Sequence, residues 1–173
     1  MLMPDVNVLV YAHRADEAAH AGYARWLANL IDGPEAFALS VLVAVAFLRI
    51  VTNHRIYRSP TPLPTALAAV DLIIAQPNCR AIAPAADHWT RVAALCRETG
   101  ATGKLVADAQ HAALAIEEGC TFVTRDADFA RFAPHGLRWQ HLLLGRSGQN
   151  KRPTDSTGPE SSARKDGRGI CCN

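Results

Sequence analysis

The sequence predicts an α/β fold, a central parallel sheet flanked by helices on both faces, and three observations carry that expectation. Short apolar segments without polar alternation, at residues 2–11, 37–39 and 121–124, have the composition of strands buried on both faces. Between them run segments whose apolar residues recur at three- and four-residue spacing, the signature of helices packing one stripe against a core. Strands that alternate with helices in this way build parallel sheets, because each crossover helix returns the chain to the same end.

Taken in order, residues 2–11 read as the first strand, rich in Val and Leu. Asp16 is a candidate cap for a helix carrying Ala19, Tyr23, Trp26, Leu27 and Leu30, and Gly33-Pro34 ends it. After the strand at 37–39, Ser40 is placed to cap a helix reaching about Thr52. Residues 53–64, with three prolines, read as a loop, and a helix over 65–76 leads to a strand at 80–83. Asp87 opens a helix that Gly100 stops, and an alanine-rich helix follows over 105–118 with Gly119 as its C-terminal stop. The strand at 121–124 runs into RDADFARF, a turn and short helix, before a last strand at 137–142. The domain is therefore expected over 1–143. Residues 144–173, dominated by Gly, Ser, Pro and charge, are expected to form a disordered polar tail.

Composition excludes several classes. The chain has 173 residues, one domain's worth, and 49% hydrophobic content, enough to fill a core. No apolar run reaches the roughly 18 residues a bilayer span needs, and the N-terminus lacks a basic, apolar secretory signal, so the cytoplasm is the expected location. Residues 1–145 hold 12 Lys and Arg against 13 Asp and Glu, so the excess of positive charge lies in the tail. Cys79, Cys96 and Cys120 stand apart in apolar contexts and make no C-x-x-C pair, which argues against a zinc or disulfide framework. There is no G-x-G-x-x-G, Walker or G-x-S-x-G motif, and the seven histidines form no ligand spacing.

The acids are more informative. Sites in parallel α/β folds lie beyond the carboxyl ends of the strands. Asp5 interrupts the first strand, with Asn7 two residues on and so on the same face of an extended chain. A charge there is costly unless it is paired, bound to a cation or satisfied by backbone N–H groups. Asp108 sits near the start of the alanine-rich helix, where it could serve the helix dipole or be held against the interior. Asp126 and Asp128 follow the strand at 121–124, as a solvated turn or as part of a site. Four carboxylates from separate elements, converging at one end of a sheet, would suit Mg²⁺ or Mn²⁺ and phosphodiester hydrolysis.

The motifs LMPDVNVLVYA, FLRIVTN, LVADAQHAALAIEEG and FVTRDADFARF, in this order, resemble the PIN domain and, more narrowly, the VapC toxin ribonucleases of bacterial toxin–antitoxin pairs. The resemblance implies a three-layer PIN-like fold and a metal-dependent endoribonuclease. Asp5, Asp108 and Asp126 are its implied catalytic acids, joined by Asp128 in holding Mg²⁺, with Mn²⁺ as a substitute. It further implies a structured RNA substrate (tRNA or rRNA), a VapB-type antitoxin as partner and a homodimer. Asn7 and Thr124 would orient carboxylates or water, and Arg49 would neutralise phosphate or pair with an acid. One position departs from the family pattern: Ala46 stands where a glutamate is usual. That departure leaves open an alternative, a catalytically silent PIN-like protein that binds RNA or a partner. A phosphatase with Asp5 as nucleophile is the weaker third reading, since D-x-N replaces the usual D-x-D.

Overall fold

A computed structural model describes residues 1–144. The last three strands and all the helices after the first lie within a few residues of where periodicity puts them. The elements are β1 (Leu2–Pro4), α1 (Val6–His13), α2 (His20–Asp32), β2 (Phe37–Ser40), α3 (Val41–Val51), α4 (Leu63–Ile74), β3 (Cys79–Ile82), α5 (His88–Thr99), α6 (Lys104–Glu117), β4 (Thr121–Thr124), a 3-10 segment (Ala127–His135) and β5 (Arg138–His141). All strand pairings are parallel and the order across the sheet is β3-β2-β1-β4-β5. The chain thus winds outward from β1 to β3, then returns to lay β4 on the other side of β1. The junction of β1 and β4 is the point where winding direction reverses, and the crevice beyond its carboxyl ends is where such folds place sites.

Side chains of successive strand residues alternate between the two faces. Met3, Ala38 and Phe122 point into a core built with α5, α6 and the 3-10 segment, including Val92, Leu95, Ala109, Ala112, Phe129 and Phe132. The alanines of α6 let that helix lie close to the sheet, and Phe122, Phe129 and Phe132 fill the space beyond it, with ring centroids 4.6 and 5.9 Å apart. On the other face Leu39 joins Leu9, Val10, Val43 and Phe47 of α1 and α3, while Val123 joins Val8 and Tyr23 of α1 and α2.

Two expectations are corrected. The strand predicted over 2–11 ends at Pro4, and Val6–His13 is helical. Asp5 makes the difference: its Oδ1 accepts the Val6 N–H at 2.6 Å, closing an N-cap. Val6, Leu9, Val10 and His13 then share one helical face, a spacing that the Val-rich composition masks. Asp16 does not cap α2, which starts at His20 without a side-chain cap. Its carboxylate is held instead by the guanidinium of Arg14, through Nε at 2.8 Å and Nη2 at 2.5 Å.

Residues 145–173 of the expected tail lie outside the described residues. Leu144 packs, partly buried, against the cluster of Val8 and Tyr23. Among the described residues no helix is long and apolar enough to cross a membrane. Cys120 is buried, Cys79 and Cys96 are partly so, and all three are free thiols.

Candidate active site

At the β1/β4 junction the carboxyl ends of two adjacent strands deliver Asp5 and Thr124 to the same place, and both are buried. The Thr124 hydroxyl donates to Asp5 Oδ2 at 2.6 Å. It accepts in turn from Asn7 Nδ2 at 2.9 Å and from the Asp126 N–H at 3.0 Å, so its capacity is used in full. Asn7 Nδ2 also donates to Asp5 Oδ2 at 2.6 Å, while Asn7 Oδ1 accepts the Arg125 N–H at 3.2 Å. Asn7 and Asp5 do lie together, though as cap and first turn of a helix rather than as alternate residues of a strand. Asp126 caps the 3-10 segment, its Oδ1 accepting the Asp128 N–H at 2.9 Å.

Two features show that this cluster buries carboxylates at a cost. Burial pushes the Asp5 carboxyl up to about 6, and the nearby Asp108 and Asp126 push in the same direction against the hydrogen bonds from Thr124 and Val6. Asp108, half-buried on α6, is also raised, by desolvation first and then by Asp126. Its Oδ2 is buried without a hydrogen-bond partner. An orphaned carboxylate oxygen beside other acids is an arrangement that burial alone disfavours. At the rim, Lys104 Nζ reaches Asp128 Oδ2 at 3.1 Å, an exposed pair one helical turn before Asp108.

The donor set is all oxygen, which fits a hard divalent cation better than zinc. Among the described residues no three His, Cys, Asp or Glu side chains are grouped closely enough to hold one ion directly. Mg²⁺ commonly binds through one or two carboxylates and otherwise keeps its waters, so a site centred on Asp5 and Asp108 fits that habit. The orphaned Asp108 oxygen is the observation in its favour.

Of the residues singled out from sequence, Asp5, Asn7, Thr124 and Asp126 form one hydrogen-bonded array. Asp108 and Asp128 join it electrostatically. Arg49 does not join. It is exposed on α3 and lines a mostly apolar groove with Val41, Leu42, Val45, Ala46, Ala107, Gln110 and His111. No carboxylate lines the groove that contains Ala46. His111 there is buried, its ring beside Phe122 and its Nδ1 without a partner, and burial holds its pKa down to about 4. It is a core histidine kept neutral. Sequence reasoning missed Tyr11 and Arg125, which flank the array. The i, i+4 spacing of Asn7 and Tyr11 could have found the first once α1 was known to be a helix.

An acid array at the topological switch of a five-stranded parallel sheet defines a class of α/β domain in which carboxylates gather beside a crevice. The family profile of the PIN domain matches residues 2–134. The VapC ribonuclease Mb2897 of Mycobacterium bovis is 42% identical over 147 residues, covering 85% of this chain and 99% of that protein. Ribonuclease VapC25 of Mycobacterium tuberculosis is 40% identical over 133 residues, covering 77% and 94%. Among solved structures, the VapBC2 of Rickettsia felis bound to a DNA fragment from its promoter superposes with a TM-score of 0.58 at 21% identity, over 80% of this chain and 96% of that one. The chain belongs to the PIN domain family, with the VapC ribonucleases as its relatives. Relatives that are ribonucleases leave the catalytically silent reading of Ala46 without support.

Proposed function

We propose that this chain is the toxin of a toxin–antitoxin pair, a metal-dependent endoribonuclease that hydrolyses phosphodiester bonds of structured RNA, tRNA or rRNA. The single observation that carries the reading is the buried, unpartnered Asp108 Oδ2 beside an Asp5 whose ionisation burial opposes. The nuclease class draws support from the relatives, which are named ribonucleases, and the RNA class from VapC20 of M. tuberculosis, described as a sarcin-ricin loop cleaving toxin.

Asp5 and Asp108 would hold Mg²⁺, or Mn²⁺ in its place, with Asp126 and Asp128 contributing charge or water-mediated contacts. Bound there, the ion would lower the pKa of a coordinated water and offset charge developing on the phosphate. The chain's own residues set the geometry. Thr124 and Asn7 fix the Asp5 carboxylate in one orientation through three hydrogen bonds that share two side chains. The Thr124 hydroxyl ties the Asp126 backbone to the same point, which links the acids that follow β1 and β4. Asp126 is free of a basic partner among the described residues and would take a proton from an attacking water. Lys104, drawn to Asp128, supplies positive charge at the rim.

A VapB-type antitoxin is the expected protein partner, as solved relatives are toxin–antitoxin complexes, and a homodimer is the expected assembly. The test is cleavage of total RNA by purified protein in Mg²⁺, in Mn²⁺ and in EDTA, beside Asp108→Ala. Metal-dependent cutting that the variant loses is the expected result. Equal cutting by Asp108→Ala would remove the site assignment, and no cutting by the folded parent in either metal would remove the nuclease.

A further inference from the structure

Beside the acid array lies a shallow polar cleft of about 290 Å³, lined by Asn7, Tyr11, Arg125, Asp126 and Ala127. Arg125 follows Thr124 directly and its backbone is held at both ends. Its N–H donates to Asn7 Oδ1 at 3.2 Å, and its carbonyl lies 2.8 Å from His141 Nε2. Its side chain turns back across α1 so that the guanidinium carbon lies 4.7 Å from the centroid of the Tyr11 ring. Tyr11 is braced from beneath by Tyr23, at a centroid distance of 5.2 Å, and Tyr23 is buried with its hydroxyl on the Leu142 carbonyl at 2.7 Å.

The charge on Arg125 meets no anion among the described residues. Among the described residues it makes no ion pair, and its guanidinium finds no hydrogen-bond acceptor. The adjacent acid, Asp126, spends Oδ1 on the Asp128 N–H. By contrast Arg14, the other arginine set over a tyrosine, has its fork filled by Asp16. A guanidinium pre-oriented on an aromatic face, with its N–H edge open to solvent at the rim of an acid cluster, is built to take a planar, bidentate anion. In a crevice whose own charge is negative, that anion is held by Arg125 and repelled elsewhere.

We propose that Arg125 is a substrate-positioning residue that binds a backbone phosphate of RNA next to the bond cut at the acid array, with Tyr11 as the platform that fixes its orientation. The inference rests on the ribonuclease reading for its substrate class. It concerns binding, so its failure can be told from failure of the chemistry. Because Asn7 accepts from Arg125 and donates to Asp5, phosphate held by Arg125 would be registered against the Asp5 carboxylate through one side chain.

The experiment is binding of fluorescein-labelled bulk tRNA in EDTA over a series of KCl concentrations, for the parent, Arg125→Gln and Arg125→Lys, with cleavage of the same RNA in Mg²⁺ measured alongside. Arg125→Gln is expected to bind about tenfold more weakly, as for loss of a charge-assisted hydrogen bond. The slope of log affinity against log salt should fall by about 0.7 to 0.9, the value of one phosphate contact. Arg125→Lys should recover the slope but only part of the affinity, since it keeps the charge and loses the fork. In cleavage, KM should rise in Arg125→Gln with little change in kcat. Unchanged affinity and slope in Arg125→Gln would overturn the proposal, and so would weaker binding with the parent's slope, or no recovery by lysine. A parent that binds RNA with an Arg125-dependent slope but does not cut it would sustain the phosphate site and remove the nuclease. A parent that cuts, with KM unmoved in Arg125→Gln, would do the reverse.

Discussion

Two buried polar networks stand near opposite ends of α1, and they are built to opposite rules. At the C-terminal end, Arg14 is 8% exposed and fully answered. Asp16 takes its fork, the Ser59 carbonyl and Thr61 hydroxyl take Nη1 at 2.9 and 3.2 Å, and Tyr57 lies under it at 4.0 Å. Burial and Glu17 push the Tyr57 phenol up to about 12, so it stays a neutral donor to that carboxylate. At the N-terminal end, Asp5 is 3% exposed and its hydrogen bonds are good, yet no cation among the described residues answers it. With its pKa near 6, against 3.8 in an ordinary setting, ionised Asp5 costs the fold on the order of 3 kcal/mol at neutral pH, at about 1.4 kcal/mol per unit. The closed network stabilises, and the open one costs stability. A network whose electrostatics do not close is the one to test for function.

The two networks should therefore fail differently when cut. Asp108→Ala is expected to lower RNA cleavage by about a thousandfold or more, a loss of some 4 kcal/mol of transition-state stabilisation, with no drop in melting temperature. Its buried oxygen has no partner to lose, so the metal-free fold should be as stable or slightly more so. Thermal melts beside cleavage rates read both halves of that statement, and a destabilised Asp108→Ala would show that the carboxylate is structural. Arg14→Ala should behave in the opposite sense. It removes bonds that tie the proline-rich segment after α3 to the end of α1, and is expected to cost about 2 to 3 kcal/mol while leaving kcat within about twofold. Urea denaturation of the two variants side by side separates them.

Much of this contrast could be read from the sequence, and the rest could not for identifiable reasons. Ser40 as cap, the Gly100 and Gly119 stops, the alanine face of α6 and the placement of Asp108, Asp126 and Asp128 all follow from local periodicity and punctuation. The end of β1 did not. Val6, Val8 and Val10 favour a strand by composition, and only the cap that Asp5 makes with its own neighbour decides for a helix. The Arg14 network joins residues about 45 positions apart, so no local pattern announces it. Asp16 reads as a cap because both roles use the same carboxylate, and the Arg14 that claims it, two residues before, is held in place by the distant Ser59 and Thr61. Arg125 was visible only as a charge in a turn until Tyr11 was placed on α1 beneath it.

Histidine 111 offers a third way to sharpen the comparison, because its burial and that of Asp5 oppose each other in pH. His111 has its pKa depressed to about 4 in the folded state against 6.5 unfolded, so between those values the unfolded chain binds the extra proton and stability falls as pH falls. Asp5 has the reverse sign: raised to about 6 against 3.8, it takes its proton in the fold first, so stability rises as pH falls through that window. From pH 7 to pH 5 the two contribute about −2 and about +1 kcal/mol, and the parent should change little. His111→Gln removes the first and keeps the second. Its stability relative to the parent should increase by about 2 kcal/mol between pH 7 and pH 5, a double difference that cancels whatever the substitution costs by itself. Denaturation curves at the two pH values test this, and parallel profiles would mean that His111 is not held neutral.

The smallest effect asks directly whether the open network takes a cation. If Mg²⁺ binds the folded chain and not the unfolded one, a concentration about ten times its Kd adds about 1.4 kcal/mol, which for a domain of this size is a rise of roughly 3 °C in melting temperature. The rise should survive Arg14→Ala, whose network lies at the other end of α1, and vanish in Asp108→Ala. Adding EDTA should reverse it in the parent. Lys104→Gln refines the assignment: Lys104 contributes charge to Asp128 at an exposed position, so its loss should lower the Mg²⁺ concentration needed for half the shift without moving the limit. A Mg²⁺ shift of the same size in Asp108→Ala would place the ion elsewhere on the molecule. No shift in the parent, with cutting that still requires Mg²⁺, would mean that the ion arrives with the RNA, held by phosphate oxygens that the carboxylates only help to orient.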